Sequence, residues 1–370
     1  MKIAMVCFPG QGGSGVIATE LGRELSRKGH EIHMISYERP FRLEQNEEIF
    51  FHKVQMNDYP LFPYPLYTLD LSAKIADVLR SFAPQIIHAH YVIPNTIAAY
   101  LAKELYQGVA PKLVTTIHGT DISIWGQDHQ LRPLIRYGLE KSDAITAVSH
   151  TLKDEAHLNT GINNIQVIYN FVNESLFQYH GNEMLRLQLA PGGEKVILHI
   201  SNFRPVKRVP DLMRAFAMLL EDVQDVVLVL VGDGVERLKT IELARVLGIE
   251  EKVCFVGNVP HPGPYLAVSH LLALSSEKES FGLVALEAMS CGKPVVATRT
   301  GGLSELVEDG RTGFLTPVGD INRLYVSMKR ILQDETLYRV FASNSREKAA
   351  KFLSSIIIPS YERLYTSLLE

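Results

Sequence analysis

A chain of 370 residues with 46% hydrophobic content and a formal charge of −4 exceeds what one core usually supports and carries no basic field suited to nucleic acid, so two soluble domains are expected. No apolar run approaches the roughly 20 residues of a membrane-spanning helix. The short N-terminal apolar run flows directly into a glycine loop, which reads as a first strand rather than a cleaved signal and makes the cytoplasm the default location.

Residues 2–8 read as a buried strand, 10–15 as a loop, 16–28 as a helix ended by Gly29, and 31–36 as a second strand. The βαβ pattern then recurs: helix 71–82, strand 86–89, helix 94–106, strand 112–117, helix 131–140 and strand 144–148. A second series opens with strand 196–200 and continues through helix 209–220, strand 226–231, helix 235–247 and strand 253–256. Two doubly wound α/β domains follow, residues 1–170 and 171–354, with the segment IYNFVNESLF at 168–177 as the candidate linker. Ligands of such sheets bind outside the carboxyl ends of the strands, so a cleft between the domains is the expected site. The Pro-rich piece NDYPLFPYPLY, residues 57–67, is expected to be a structured loop, with acceptor shaping as a second possibility.

Three cysteines, Cys7, Cys254 and Cys291, show no short paired spacing, so they read as reduced core residues rather than as a disulfide framework or a zinc site. His88 and His90 alternate on a strand and would share one face; without a carboxylate or cysteine cluster nearby, satisfied strand-end histidines are a better reading than a metal pair.

The loop GQGGSG at 10–15, with Gly13 and Ser14, opens a helix after a strand and lets a ligand approach the backbone closely. As a dinucleotide fingerprint it is loose: the second strand ends in Ser36-Tyr37 with Glu38 following, which argues against a nicotinamide enzyme. His118-Gly-Thr120-Asp121 follows the strand KLVTTI, where His118 could lie beside a ligand or merely cap the next helix. Directly after the second domain's first strand comes SNFRPVKR, with Asn202, Arg204 and Lys207; a basic cluster there suits a diphosphate, and a solvated basic loop is the alternative.

The densest signal is SSEKESFGLVALEAMSCGKPVVAT, residues 275–298. The preceding residues 271–274 are apolar enough for a strand, and 283–289 read as helix. Ser280, Phe281, Gly282 and Leu283 therefore sit at a helix start, where unpaired N–H groups and the positive end of the dipole favour an anion. Glu279 stands at the mouth of this helix and Glu287 roughly 9 Å further along it, given a rise of about 1.5 Å per residue. The two carboxylates would grip different parts of one extended ligand. Taken alone, the same spacing would also fit an acidic loop followed by an ordinary buried helix.

With the strand at 295–298, Gly301-Gly302 and Glu305 after it, this arrangement resembles the donor-sugar site of retaining glycosyltransferases with the GT-B fold, family 4 type. The resemblance implies two Rossmann-like domains, a last helix near 355–370 that crosses back onto the first domain, and a homodimer. It also implies that Glu279, the first glutamate of Glu-x(7)-Glu, lies near the transferred hexose, that Glu287 holds the nucleotide ribose, and that His118 lies near the anomeric region. Where the family usually has Arg two residues after the strand, this chain has Asn202, and Arg204 takes over the guanidinium beside Lys207. Ser269-His270, where relatives commonly show Ser-Asp, and residues 260–264 also depart from the pattern.

Taken in order, the Gly-Gly-Ser-Gly run, His90-Tyr91, HGTDIS, AVSHTLKDE, IYNFVNE, SNFRPVKR and SEKESFG resemble the branch of the family that opens bacillithiol biosynthesis. That likeness implies UDP-N-acetylglucosamine as donor, L-malate as acceptor, and no separate metal or cofactor. Malate carries two carboxylates, so its pocket should supply charge-assisted donors. Arg136 is the expected cation, with Ser14, Tyr91, Thr120 and Asn170 as hydrogen-bonding partners, although Arg136 on a helix could equally pair with a surface carboxylate. Rival readings are a related transferase with another small anionic acceptor such as an inositol phosphate, a UDP-N-acetylglucosamine 2-epimerase-like isomerase, and an idle sugar-nucleotide sensor.

Overall fold

The computed structural model describes residues 1–10, 12–44, 48–56, 66–173, 175 and 182–370. The chain divides into two compact units, Met1–Asn170 with Ser354–Glu370, and Phe171–Leu353. Most of the proline-rich piece at 57–67 and part of the linker segment at 168–177 lie outside the described residues.

The first unit is built on seven parallel strands, β1 (Lys2–Val6), β2 (Glu31–Ser36), β3 (Phe50–Lys53), β4 (Ile86–His90), β5 (Lys112–Ile117), β6 (Ala144–Ala147) and β7 (Gln166–Val167), in the order β3-β2-β1-β4-β5-β6-β7. The second has six, β8 (Lys195–Ile200), β9 (Val226–Val231), β10 (Val253–Gly257), β11 (Leu271–Leu274), β12 (Val295–Thr298) and β13 (Gly313–Thr316), in the order β10-β9-β8-β11-β12-β13. Parallel strands need helical crossovers that cover both faces, so their sequences are nearly all apolar. The run VVLVLV of β9, with every residue buried, shows the consequence.

Each sheet reverses its strand order once, between β1 and β4 in the first unit and between β8 and β11 in the second. The crevice at such a reversal, beyond the carboxyl ends of the two strands, is where doubly wound sheets take their ligands. The last helix, Ser354–Leu369, packs on the first unit's sheet with Tyr361 and Tyr365 fully buried, and Glu362 accepts from Lys28 at 2.7 Å. Tyr365 Oη meets His88 Nδ1 at 2.7 Å.

Several sequence expectations are corrected here. The strand expected over 2–8 ends at Val6, and the helix after it begins at Gly13, so Gly13 and Ser14 belong to its first turn rather than to the loop. Gly15 is required where it stands: a Cβ there would meet the carbonyl oxygens of Phe8 at 2.5 Å and Gly10 at 2.7 Å. The helix expected over 94–106 is instead an irregular turn at Val92–Thr96 followed by helix Ile97–Glu104. Strands β3, β7 and β13, and the short helix Gly263–Val268, went unread in the sequence.

Candidate active site

In the second unit the site grows from the ends of β8 and β11. After β8 the chain turns through Ser201 to a fully buried Phe203, leaving Asn202 and Arg204 exposed. The Arg204 guanidinium makes no hydrogen bond or ion pair among the described residues, while its carbonyl accepts from Lys207 N at 2.8 Å. Lys207 lies three residues on, and its Nζ pairs with Glu279 Oε1. Ser276 Oγ donates to the same carboxylate oxygen at 3.0 Å.

The loop carrying Glu279 is clamped from two sides. Ser275 Oγ bonds the carbonyls of Lys207 and Arg208, each at 2.9 Å, and Glu277 N donates to Val206 O at 2.8 Å. From the other side Thr300 Oγ1 donates to Glu277 O at 2.8 Å and Gly302 N to Glu279 O at 3.0 Å. Gly301 has φ +47°, and a Cβ there would lie 1.9 Å from Glu279 O, so only glycine permits this clamp. Phe281 and Gly282 then lead into helix Leu283–Ser290, whose second turn carries Glu287, only 2% exposed. No side chain caps this helix start, the end of a helix at which backbone N–H groups favour an anion.

The first unit builds its site from the ends of β1, β4 and β5. Ser14 is half-buried in the first turn after β1, and the Phe8 ring lies edge-on to Tyr91 at 5.6 Å between centroids. Tyr91 follows β4 with φ +79°, and its ring lies 5.4 Å from that of His118. Asp121, fully buried, draws these loops together: one carboxylate oxygen accepts from the amides of His118 at 3.2 Å and Gly119 at 2.9 Å, the other from Val92 N at 3.3 Å. Burial raises its pKa to about 6 although these bonds pull the other way.

The sequence alone assigns Asp121 of HGTD no role; its signal is an Asp three residues after a strand-end His, able to fold back onto the loop amides. Thr120 is half-buried at the start of the short helix Thr120–Ser123, and Asn170 is buried with its Oδ1 unpartnered among the described residues. Arg136 stands apart: on helix Arg132–Glu140 its Nε donates to Glu140 at 2.7 Å and its side chain is 59% exposed.

The histidines on β4 form a buried column. His88 is bonded at both ring nitrogens, to Tyr365 and to Thr116 Oγ1 at 2.6 Å. His90 stacks on it at 4.3 Å, and His90 Nδ1 lies 2.9 Å from His118 Nε2. Burial lowers the pKa of His88 and of His118 to about 3 and that of His90 well below its ordinary value, so all three rings are neutral at physiological pH. Among the described residues, no group of three or more His, Cys, Asp or Glu is placed to hold a metal ion.

Residues 11–176 match the family described as Glycosyltransferase Family 4, and residues 183–348 match Glycosyl transferases group 1. The chain is 45% identical to N-acetyl-alpha-D-glucosaminyl L-malate synthase of Bacillus anthracis, over all of this chain and 97% of that protein. It is 27% identical to D-inositol 3-phosphate glycosyltransferase of Kribbella flavida, over 92% of this chain and 87% of that one. Among solved structures, sucrose-phosphate synthase of Thermosynechococcus elongatus shares the fold with a TM-score of 0.82 at 24% identity, over all of this chain and 99% of that one. An Anabaena protein, HepE, solved with UDP and glucose, does so with the same TM-score and identity, over 99% of each chain.

Proposed function

The chain belongs to the family 4 and group 1 glycosyltransferases of GT-B fold, and from that premise we propose that it moves N-acetylglucosamine from UDP-N-acetylglucosamine to the hydroxyl of L-malate, the first step of bacillithiol biosynthesis. The observation that carries the donor half of this reading is the Lys207–Glu279 pair at the β8/β11 reversal, with exposed Arg204 on one side and, on the other, the start of helix Leu283–Ser290, which no side chain caps.

Arg204, Lys207 and the amides of Phe281, Gly282 and Leu283 are proposed to hold the diphosphate, with Asn202 and Gly13 as further donor contacts. Glu287 takes the ribose, and Glu279 and His118 meet the hexosamine. In the transfer, the bond from the anomeric carbon to the β-phosphate oxygen breaks as the malate hydroxyl oxygen bonds to the same carbon from the same face. The hydroxyl proton passes to the departing phosphate, so configuration is retained without a separate base. Fixed cations at the diphosphate stabilise the charge that develops on the leaving group, so the reaction is proposed to need no metal. Ser14, Tyr91, Thr120, Arg136 and Asn170 are proposed to take the acceptor.

No helix among the described residues is long and apolar enough to cross a membrane. The working form is proposed to be a cytoplasmic homodimer. The test is incubation of the purified protein with UDP-N-acetylglucosamine and L-malate, with and without EDTA, followed by mass spectrometry. The glycoside and UDP in equal amounts, unaffected by EDTA, are expected. UDP-N-acetylglucosamine binding without product would move the search to other anionic acceptors, and an epimerised sugar nucleotide formed without malate would replace the reading by an isomerase.

A further inference from the structure

The buried column on β4 contains one ring nitrogen that the chain leaves alone: His90 Nε2 is fully buried and has no partner among the described residues. His88, stacked against it, spends both of its own nitrogens on Tyr365 and Thr116. The other nitrogen of His90 makes its single bond to His118 Nε2 at 2.9 Å. A neutral imidazole carries one N–H and one lone pair, so the proton in this contact belongs either to His90 or to His118. If His118 donates, His90 must bear its own proton on the orphaned Nε2, and a buried N–H is left without an acceptor. If His90 donates, the orphaned nitrogen carries only a lone pair. Buried N–H groups without partners are the rarer defect in folded proteins, and the second arrangement is favoured.

The consequence falls on His118. Its Nε2 then accepts, and its proton sits on Nδ1, which has no partner among the described residues. We propose that His90 is a positioning residue that holds His118 in the Nδ1–H tautomer, so that His118 meets the hexosamine as a neutral hydrogen-bond donor and not as a base. With burial keeping both rings neutral, the assignment persists across the physiological pH range. The backbone bonds from His118 and Gly119 to Asp121 hold the ring's attachment point, while His90 settles which nitrogen bears hydrogen. Two neighbours thus divide the work, one holding place and the other proton.

That His118 faces the sugar rests on the proposed function; the tautomer does not, and the experiment separates them. Histidine-selective ¹⁵N labelling with two-bond proton–nitrogen correlation of the intact protein should show His118 protonated at Nδ1 and bare at Nε2, and His90 bare at Nε2. His90→Phe keeps the ring stack but removes the donor; His118 should lose its Nδ1–H preference and kcat should fall about tenfold, the scale of one lost hydrogen bond in the transition state, with the donor KM changed less than about twofold. His90→Asn, whose amide reaches the position of Nδ1, should recover most of both. A wild-type His118 protonated at Nε2 would overturn the proposal, as would a His90→Phe protein that keeps the Nδ1–H tautomer, or an Asn variant no better than Phe. If His90→Phe does not fold, the wild-type spectrum still decides; absence of turnover with malate would count against the acceptor reading alone.

Discussion

The second unit meets its proposed ligand with charge and the first with neutral rings. At the ends of β8 and β11, the working side chains are those of Arg204, which is exposed, and of Lys207 and Glu279, which pair with each other. At the ends of β4 and β5, three buried imidazoles and one carboxylate folded onto backbone amides do the positioning. The contrast follows from the chemistry assigned to each half. A diphosphate needs cations that survive partial exposure, whereas a sugar ring near its reacting carbon needs donors whose direction does not change and which cost no reorganisation. Charge belongs where the ligand is charged, and buried neutral donors where position matters more than field.

The sharpest way to break this contrast is to remove the second unit's cation. Lys207→Ala leaves Glu279 with Ser276 as its remaining described partner and takes a positive charge from the diphosphate. A loss of about 10²–10³ in kcat/KM for the donor is expected in steady-state assays, comparable to removing a transition-state donor. A loss below about tenfold would mean that Arg204 and the helix amides carry the diphosphate without it.

Acid should then separate the units. In the first, His52, His88, His90 and His118 have pKa values lowered by burial; in the second, His199 and His270 do. Each such ring takes up a proton in the unfolded chain below about pH 6.5 but resists it in the fold until about pH 4 or lower, so stability falls as pH drops through that window. Asp121, raised to about 6, acts with the opposite sign and offsets one of the first unit's rings. The first unit is left with one net histidine more than the second, worth about a further tenfold per pH unit in its folding equilibrium. Trp125, the chain's single tryptophan, lies in the first unit, so its fluorescence should change at a higher pH than the bulk of the far-ultraviolet circular dichroism. Coincident transitions would show that the units unfold as one or that other groups dominate.

These two regions also differ in how much of them could be read beforehand. Strands of continuous apolar sequence, such as β9 and β11, stand out because both of their faces are covered. Strand β3 (FFHK) at a sheet edge is only half-buried, and the two residues of β7 are too few to show a period, so neither left a pattern. The helix from Gly13 was read three residues late because glycines signal a loop and no side chain caps its start. Glu279 and Glu287 draw attention through their local strand-loop-helix context. The His90–His118 contact is invisible locally: it depends on the β4–β5 register that sets His90 opposite Thr116, two residues before His118. Chain-local patterns carry charge and periodicity, but not the cross-strand register that makes two neutral rings share a proton.

A smaller effect is expected at Glu287. Buried in the second turn of its helix, it is proposed to bind ribose hydroxyls in ground and transition states alike, so Glu287→Gln should raise the donor KM about tenfold and leave kcat within about twofold. A fall in kcat at unchanged KM would place Glu287 in the chemical step and blur the division between holding and reacting groups.

Arg136 tests the contrast from the other side, because it would be the first unit's one cation for the acceptor. Its bond to Glu140 is an exposed i,i+4 pair, worth only about 0.3–0.5 kcal/mol, so the guanidinium can leave it for a malate carboxylate at little cost. Arg136→Ala should raise the malate KM about fivefold and the donor KM less than about twofold, the loss of one charge-assisted contact. Glu140→Gln supplies the converse: with its intramolecular rival gone, Arg136 should bind malate somewhat more tightly, and the malate KM should fall. Equal small shifts in both constants for Arg136→Ala, with no response to Glu140→Gln, would remove Arg136 from the acceptor site. The acceptor's two carboxylates would then have to be met by neutral donors such as Ser14, Tyr91, Thr120 and Asn170, which would extend the first unit's reliance on uncharged groups to its charged substrate.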